Sequence, residues 1–349
     1  MTLTDSTLRS LPKVELHVHL EGTIDAPRIA TLAEAVGEPL PRPIDELFVT
    51  DSLSAFLDFL DWTVGLVRSP ETAADLAYEF AQRASADGTI YSEVIINPTH
   101  WGGLGLADLC EGVAAGFDRA VTDGLAECNI LLSILRQQPA EEAEALAAFM
   151  TERQPHRVVG LSIDGNESAA GRTGPRFARA YAMAGEAGFG LTAHAGESSG
   201  ADGVRDALDL LGVQRIDHGV RAVEDDDVVR RLVESNTTLN VCVSSNCRRM
   251  YPDIGAHPIG ALLEAGVPVT LNTDDPAPLF NSLTEEFVLV ADHFDWSLGD
   301  AAAITRTAVD ASFCSDATKA GLTARLDEAL TALSYPMPHI PGSQPTTVT

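Results

Sequence analysis

Eight short apolar segments, separated for the most part by stretches with helical spacing, constrain this chain more than any other feature. They are Val14–Leu20, Ile90–Asn97, Asn129–Arg136, Val158–Ile163, a segment opening at Gly190–Ala193, Arg215–Asp217, Thr238–Val243 and Pro268–Leu271. Strands this short and this uniformly apolar belong to a parallel sheet buried on both faces. Roughly one helix between neighbours gives the alternating rhythm of βα units. The first excursion is longer and predicts three helices, Ala26–Val36, Ser52–Arg68 and Pro70–Asp87. The second of these carries an apolar stripe of Leu53, Phe56, Leu57, Leu60 and Val64, read as core packing, with Phe56, Phe59 or Trp62 available to wall a pocket. Helices also follow the last strand, over Ser282–Phe294, Leu298–Ala311 and Asp316–Leu333. The fold class is therefore α/β, a (β/α)8 barrel with extra helices after the first strand and at the C-terminus. No Gly-x-Gly-x-x-Gly follows the first strand, which weighs against a doubly wound dinucleotide fold. One domain is expected over residues 1–334, followed by a Pro- and Thr-rich tail over 335–349.

Composition narrows the partners. A formal net charge of −28 over 349 residues disfavours nucleic acid and anionic membrane surfaces. The N-terminal MTLTDSTLRSLPK lacks the apolar core of a signal peptide, and no apolar run is long enough to span a bilayer. Five scattered cysteines fit a reducing compartment, so a cytoplasmic location is expected. The oligomeric state is left open.

The polar residues gather at the C-terminal ends of the predicted strands: His17 and His19, Asp164–Glu167, His194–Glu197, His218, and Asp274–Asp275. All such ends share one face of a barrel, the face where active sites lie. His17 and His19 are two residues apart in a strand, so both imidazoles point the same way. Taken alone, each group has a plain structural reading. His-x-His suits a core pair, His194 a turn, Asp274 a helix cap, and Glu197 a solvated loop. Convergence on one rim favours a single metal site instead. His17, His19 and His194 supply nitrogens and Asp274 a carboxylate, leaving a place for an exchangeable water. Zinc suits this set best, though iron, manganese or cobalt also fit. A metal there brings the pKa of bound water to about 7. His218 can hold the attacking water, Asp274 can take its proton, and Glu197 can protonate a substrate on the far side. Gly165 in a tight turn can offer its N–H to a ligand. Ser244, Ser245 and Asn246 either line the pocket or form a turn. His100, His156, His257, His293 and His339 lack comparable contexts and are read as surface, capping or packing residues.

The segments ELHVHLEG, TAHAGE, IDHG, SSN and LNTDDP, in that order between Leu11 and about Phe313, resemble the adenosine deaminase family of metal-dependent amidohydrolases. The resemblance implies a barrel fold, one zinc ion per chain, a small-molecule aminopurine substrate, and hydrolytic deamination that releases ammonia. Carried over by motif, His17, His19, His194 and Asp274 bind the metal. Glu197 protonates N1 of the purine, His218 orients the attacking hydroxide, and Asp274 is also catalytic. His19, Glu21, Asp275 and Gly165 face the substrate, with Asp275 at N7 and the Gly165 N–H at N3. Two departures bear on substrate. Adenosine-specific members carry Asp where this chain has Glu21, and adenine-specific members tend to carry Ser where it has Gly165. The expectation is an adenosine or modified-adenosine deaminase, with adenine or aminodeoxyfutalosine as alternatives. A barrel metallohydrolase with a bridging lysine, or an inactive metal-binding homologue, represents the other classes.

Overall fold

The computed structural model describes residues 3–334; the tail predicted from Tyr335 and the side chain of Leu53 in the predicted stripe lie outside the described residues. Nine strand segments follow the chain: β1 Lys13–His19, β2 Thr89–Ile96, β3 Glu127–Leu135, β4 Val158–Asp164, β5 Gly190–Leu191, β6 His194–Ala195, β7 Arg215–His218, β8 Thr238–Val241 and β9 Val269–Leu271. They form two parallel sheets in strict sequence order, β1 to β5 and β6 to β9. The predicted fifth strand is thus split at Thr192–Ala193, because this stretch passes from one sheet to the other. Its backbone keeps both partners: the Thr192 N–H donates to Leu161 O at 3.0 Å, and Ala193 O accepts from the Asp217 N–H at 2.9 Å. At the opposite seam β1 meets the end of β9. Val18 bridges Asp274 in parallel, the His19 N–H donates to Asp274 O at 2.8 Å, and Asn272 Oδ1 accepts the N–H groups of Leu16 and His17. The order of strands is that of the expected (β/α)8 barrel, with helices in the connections.

The added helices lie where the spacing placed them. Helix Leu53–Val64 starts at Ser52, whose hydroxyl accepts the Ala55 N–H at 3.1 Å, a common way to satisfy the first turn. Phe56, Phe59, Leu60 and Val64 are buried; burying such side chains is worth about 1.5–3 kcal/mol each. Phe59 stacks on Trp62 and meets Phe48 edge-on, so these two rings pack among themselves. Phe56, Leu57 and Leu60 reach the pocket described below. At the C-terminus, Ala308, Val309 and Leu322 join Val14 and Leu16 of β1 in a separate apolar cluster. Lys13 is also interior, but at the start of β1, away from the polar rim. Its Nζ donates to Leu8 O and Leu11 O at 2.8 and 3.1 Å, and burial lowers its pKa to about 8. Among the described residues no helix is long and apolar enough to cross a membrane.

Candidate active site

The two histidines of β1 point into the barrel mouth as the period of two requires. His17 Nδ1 lies 3.4 Å from Asn240 O and 3.8 Å from Asp217 Oδ1, partners for a proton on Nδ1, and the ring turns Nε2 inward; without a cation, and against the cost of burial, Asp217 and Asp274 raise its pKa to about 9. That Nε2 has no hydrogen-bond partner, although it is fully buried, and it lies 3.2 Å from Asp274 Oδ1. His19 Nε2 lies 3.4 Å from the same oxygen and 3.1 Å from His194 Nε2. Donor atoms of His17, His19, His194 and Asp274 all fall within 4.8 Å of one another. Inward nitrogens this close repel unless a proton or a cation sits between them. The set of three imidazoles and one carboxylate fits a divalent cation. Burial lowers the pKa of His19 to about 3, which leaves its nitrogen bare as a ligand must be.

Groups behind these four fix their aim. Asp217, fully buried, lies 3.4 Å from His194 Nδ1 and 3.8 Å from His17 Nδ1, and accepts from Asn240 and Ser162. Burial opposes its charge, but His17 and His194 hold it well below the usual carboxylate range. Ser245 Oγ donates to Asp274 Oδ2 at 2.6 Å, leaving Oδ1 for the imidazoles. The strand expected over Thr238–Val243 ends at Val241, and Ser244, Ser245 and Asn246 neither form a turn nor line the pocket described below. They open helix Val243–Arg249, because the buried Glu286 carboxylate accepts the Ser244 N–H at the helix start. His218 and Asp274 both adopt left-handed backbone conformations, with φ of 65° and 66°. Such strain costs about 1–3 kcal/mol for a non-glycine residue and clusters at functional sites.

A cavity of about 70 Å³ sits over the cluster, lined by His19, Glu21, Asp164, Gly165, His194, Glu197, His218, Asp274 and Asp275, with Phe56, Leu57, Leu60, His100 and Arg249 around its mouth. Every site residue expected from the sequence therefore meets at this cavity, His17 lying directly beneath it. His218 Nε2 is 3.9 Å from Glu197 Oε1 and 4.0 Å from Asp274 Oδ2. Asp275 is pushed up well above the carboxylate range by burial and by the neighbouring Asp274 charge, and its buried Oδ1 has no partner. Gly22 makes room for it: a Cβ at that position would lie 2.0 Å from Asp275 Oδ1. Glu21 Oε1 accepts the Asn97 N–H at 2.9 Å and the Trp101 indole N–H at 2.6 Å, while its buried Oε2 has no partner. Burial raises the Glu21 pKa to about 7. Gly165 has φ of +93°, and a Cβ there would meet Gln137 Oε1 at 2.9 Å and Leu135 at 3.0 Å.

Several participants escaped sequence reasoning. Glu167 accepts the N–H groups of Gly196, Glu197, Ser198 and Ser199 and the Ser199 hydroxyl, at 2.7–3.1 Å, and so shapes the turn that carries Glu197. Asn97 links Glu21 to Asp164, its side chain donating to Asp164 Oδ1 at 2.5 Å. His100 is not a surface residue: it stands at the pocket mouth, paired with Asp61 of helix Leu53–Val64. His257 is buried and reaches Asn246. The Asp in IDHG was the one visible signal for Asp217. Glu167 stands in the strand-end cluster Asp164–Glu167 read from the sequence, but nothing local marks its role as acceptor for the 196–199 turn, and nothing local marks His257.

Comparison with known proteins agrees with this geometry. The family model described as "Adenosine deaminase" matches residues 12–329. An adenine deaminase of Rhodospirillum rubrum is 36% identical over 337 residues, covering 93% of this chain and 99% of that protein. The crystal structure of an adenine deaminase from Arthrobacter aurescens superposes with a TM-score of 0.86 at 31% identity, covering 92% of this chain and 100% of that one. An amidohydrolase from Burkholderia ambifaria with bound Zn superposes with a TM-score of 0.86 at 28% identity, covering 96% of each chain. By fold, site and sequence, the chain belongs to the adenosine deaminase family.

Proposed function

We propose that this deaminase acts on free adenine, exchanging its 6-amino group for the oxygen of water and releasing ammonia, with one zinc ion held by His17, His19, His194 and Asp274. The relatives named adenine deaminase favour free adenine over the expected nucleoside, and in this reading Glu21 carries the choice of free base. Its buried Oε2 has no partner in the protein, and in the ionised form of the carboxyl it accepts a hydrogen bond. The N9–H of adenine is a donor for that bond; a nucleoside has a sugar at N9 and no hydrogen to give. The names borne by the Rhodospirillum and Arthrobacter relatives support the same substrate. The absence of a side chain at Gly165 does not argue for a nucleoside, because the left-handed backbone favours glycine there by itself.

Zinc, when bound, supplies a Lewis acid that makes water nucleophilic near neutral pH. The protein's own groups do the rest in this reading. Glu197 delivers a proton to N1, which makes C6 electrophilic. Asp275, whose burial favours the protonated form, donates to N7. The Gly165 N–H meets N3. His218 holds the attacking water against C6, and Asp274 takes up its proton. Proton transfer by a positioned group is worth about 10²–10⁴ in rate.

The test is an absorbance assay of zinc-loaded protein on adenine, adenosine, 2′-deoxyadenosine and 5′-modified nucleosides. A site built to accept a hydrogen bond discriminates by about 10⁴ against a ligand lacking the donor. Adenine is expected to lead by that order in kcat/KM, and Glu21→Gln, which turns an N–H toward N9, to remove the lead. Preference for any nucleoside in the wild type overturns the substrate assignment.

A further inference from the structure

A buried line of hydrogen bonds ends on His218 from the side away from the pocket. It begins at the Ile259 N–H, on the first residue of helix Ile259–Glu264, which donates to His257 Nδ1 at 3.1 Å. A backbone amide only donates, so His257 Nδ1 is bare and the ring proton sits on Nε2. That Nε2 lies 3.1 Å from Asn246 Oδ1, the one atom of the side-chain amide that accepts. Asn246 Nδ2 is thereby turned to His218 Nδ1, also at 3.1 Å, as a donor. His218 Nδ1 must accept, and its proton is left on Nε2, the nitrogen that faces Glu197 and Asp274. Amide orientation and tautomer are normally ambiguous. Here the amide of Ile259 gives every bond a single direction, and His257, Asn246 and His218 are all shielded from water, which serves either polarity.

We propose that His257 is a positioning residue: acting through Asn246, it holds His218 as the Nε2–H tautomer. The catalytic consequence rests on the deaminase reading above, because it gives His218 the water to orient; the tautomer does not. With Nε2–H the ring presents a donor to an oxygen in the pocket and leaves that oxygen's second lone pair for C6. With the other tautomer the same nitrogen would be an acceptor. It would compete with Asp274 for the water's proton and hold the oxygen turned away.

The experiment is two-bond ¹H–¹⁵N spectroscopy on the zinc-loaded full chain labelled at histidine, with the His218 signals assigned by their loss in His218→Gln. A pyrrole-type Nε2 and a pyridine-type Nδ1 are expected for His218 in the wild type; the reverse pattern overturns the proposal. Asn246→Asp keeps shape but accepts from both rings, so it should move the His218 proton to Nδ1. In that variant kcat for adenine should fall about 100-fold or more, within the range of a positioned proton-transfer group, with KM and zinc content nearly unchanged. His257→Phe should lose the fixed pattern, and His257→Gln, whose amide N–H still serves Asn246, should restore the Nε2–H signal and most of kcat. Unchanged tautomer and unchanged kcat in Asn246→Asp and His257→Phe would refute the relay. Should a variant fail to fold, the wild-type spectrum and His257→Gln still decide it. A wild type inactive on every aminopurine would sink the deaminase reading, while the spectrum alone would continue to judge the tautomer.

Discussion

Glu167→Gln is the substitution whose effect can be worked most fully from the structure. The Glu167 carboxylate gathers five donors from the turn at 196–199: Oε2 takes the N–H groups of Glu197, Ser198 and Ser199, and Oε1 takes the Gly196 N–H and the Ser199 hydroxyl. Burial raises the cost of its charge, but Arg136, 3.8 Å away, and the turn's own donors hold its pKa below the usual range. It is therefore ionised at pH 7, and its stabilisation is lost only as pH falls through that lowered value. An amide of the same shape keeps one oxygen. The other position becomes an NH₂ facing at least the Gly196 N–H and the Ser199 hydroxyl. The hydroxyl can rotate to meet it, but the amide cannot. The Gly196 N–H keeps only its longer bond to Ser199 Oγ at 3.3 Å, so losing the carboxylate acceptor costs about 1 kcal/mol. Loss of the charge beside Arg136 adds to this, since breaking a buried ion pair costs about 3–5 kcal/mol. The two share one network and do not simply add, so a loss of about 4 kcal/mol is expected.

The same change should reach catalysis, because Glu197 sits on the turn that Glu167 holds. A displacement of about 1 Å at a reacting group can cost 10²-fold. Urea unfolding at pH 7 and steady-state kinetics on adenine are the assays. Expected are a midpoint lowered with unchanged m, and kcat/KM down about 100-fold with zinc still bound. A variant with wild-type midpoint and wild-type kcat/KM would show that the five hydrogen bonds neither stabilise the turn nor place Glu197.

Three further outcomes follow from the same geometry. Asp217→Asn should weaken zinc binding about 10–100-fold, the usual effect of losing a carboxylate behind a ligating histidine; competition with a chelator measures it, and unchanged affinity would refute the orienting role. Removing the metal should lower the melting temperature, by the equivalent of about 2.7 kcal/mol when free ion stands 100-fold above Kd, and a scan of the chelated and reloaded protein checks it. Glu286 has its pKa raised by burial from 4.5 to about 7, so its folded form binds the extra proton between those values and its contribution to stability falls as pH rises through that window. The interval corresponds to about 3 kcal/mol; Glu286→Gln should match the wild type near pH 4.5 and gain on it by up to that amount at pH 8, as read by urea unfolding at both pH values.

What could be read from the sequence is what local rules dictate. The period of two in β1 puts His17 and His19 on one side, and short apolar strands put the ends of eight segments on one rim, so the metal cluster needed no knowledge of tertiary contacts. The missed residues share the opposite property. Glu167 follows Asn166 at the start of a four-residue helix and looks like a helix-start acid; its true partners are thirty residues away. His257 precedes a proline and looks like a capping histidine until Asn246 is brought against it. Gly165 shows how a local rule can mislead. Its lack of a side chain looked like information about the ligand, yet φ of +93° favours glycine there on backbone grounds alone. Glu21 carries the ligand information, but only burial reveals it. One oxygen of Glu21 is committed to Asn97 and Trp101 and the other has no partner in the protein, which is what the proposed contact to the N9–H of adenine draws on. In the adenine reading proposed above, specificity rests on that unmet hydrogen bond, which no pattern of residue types can display before the chain has folded around it.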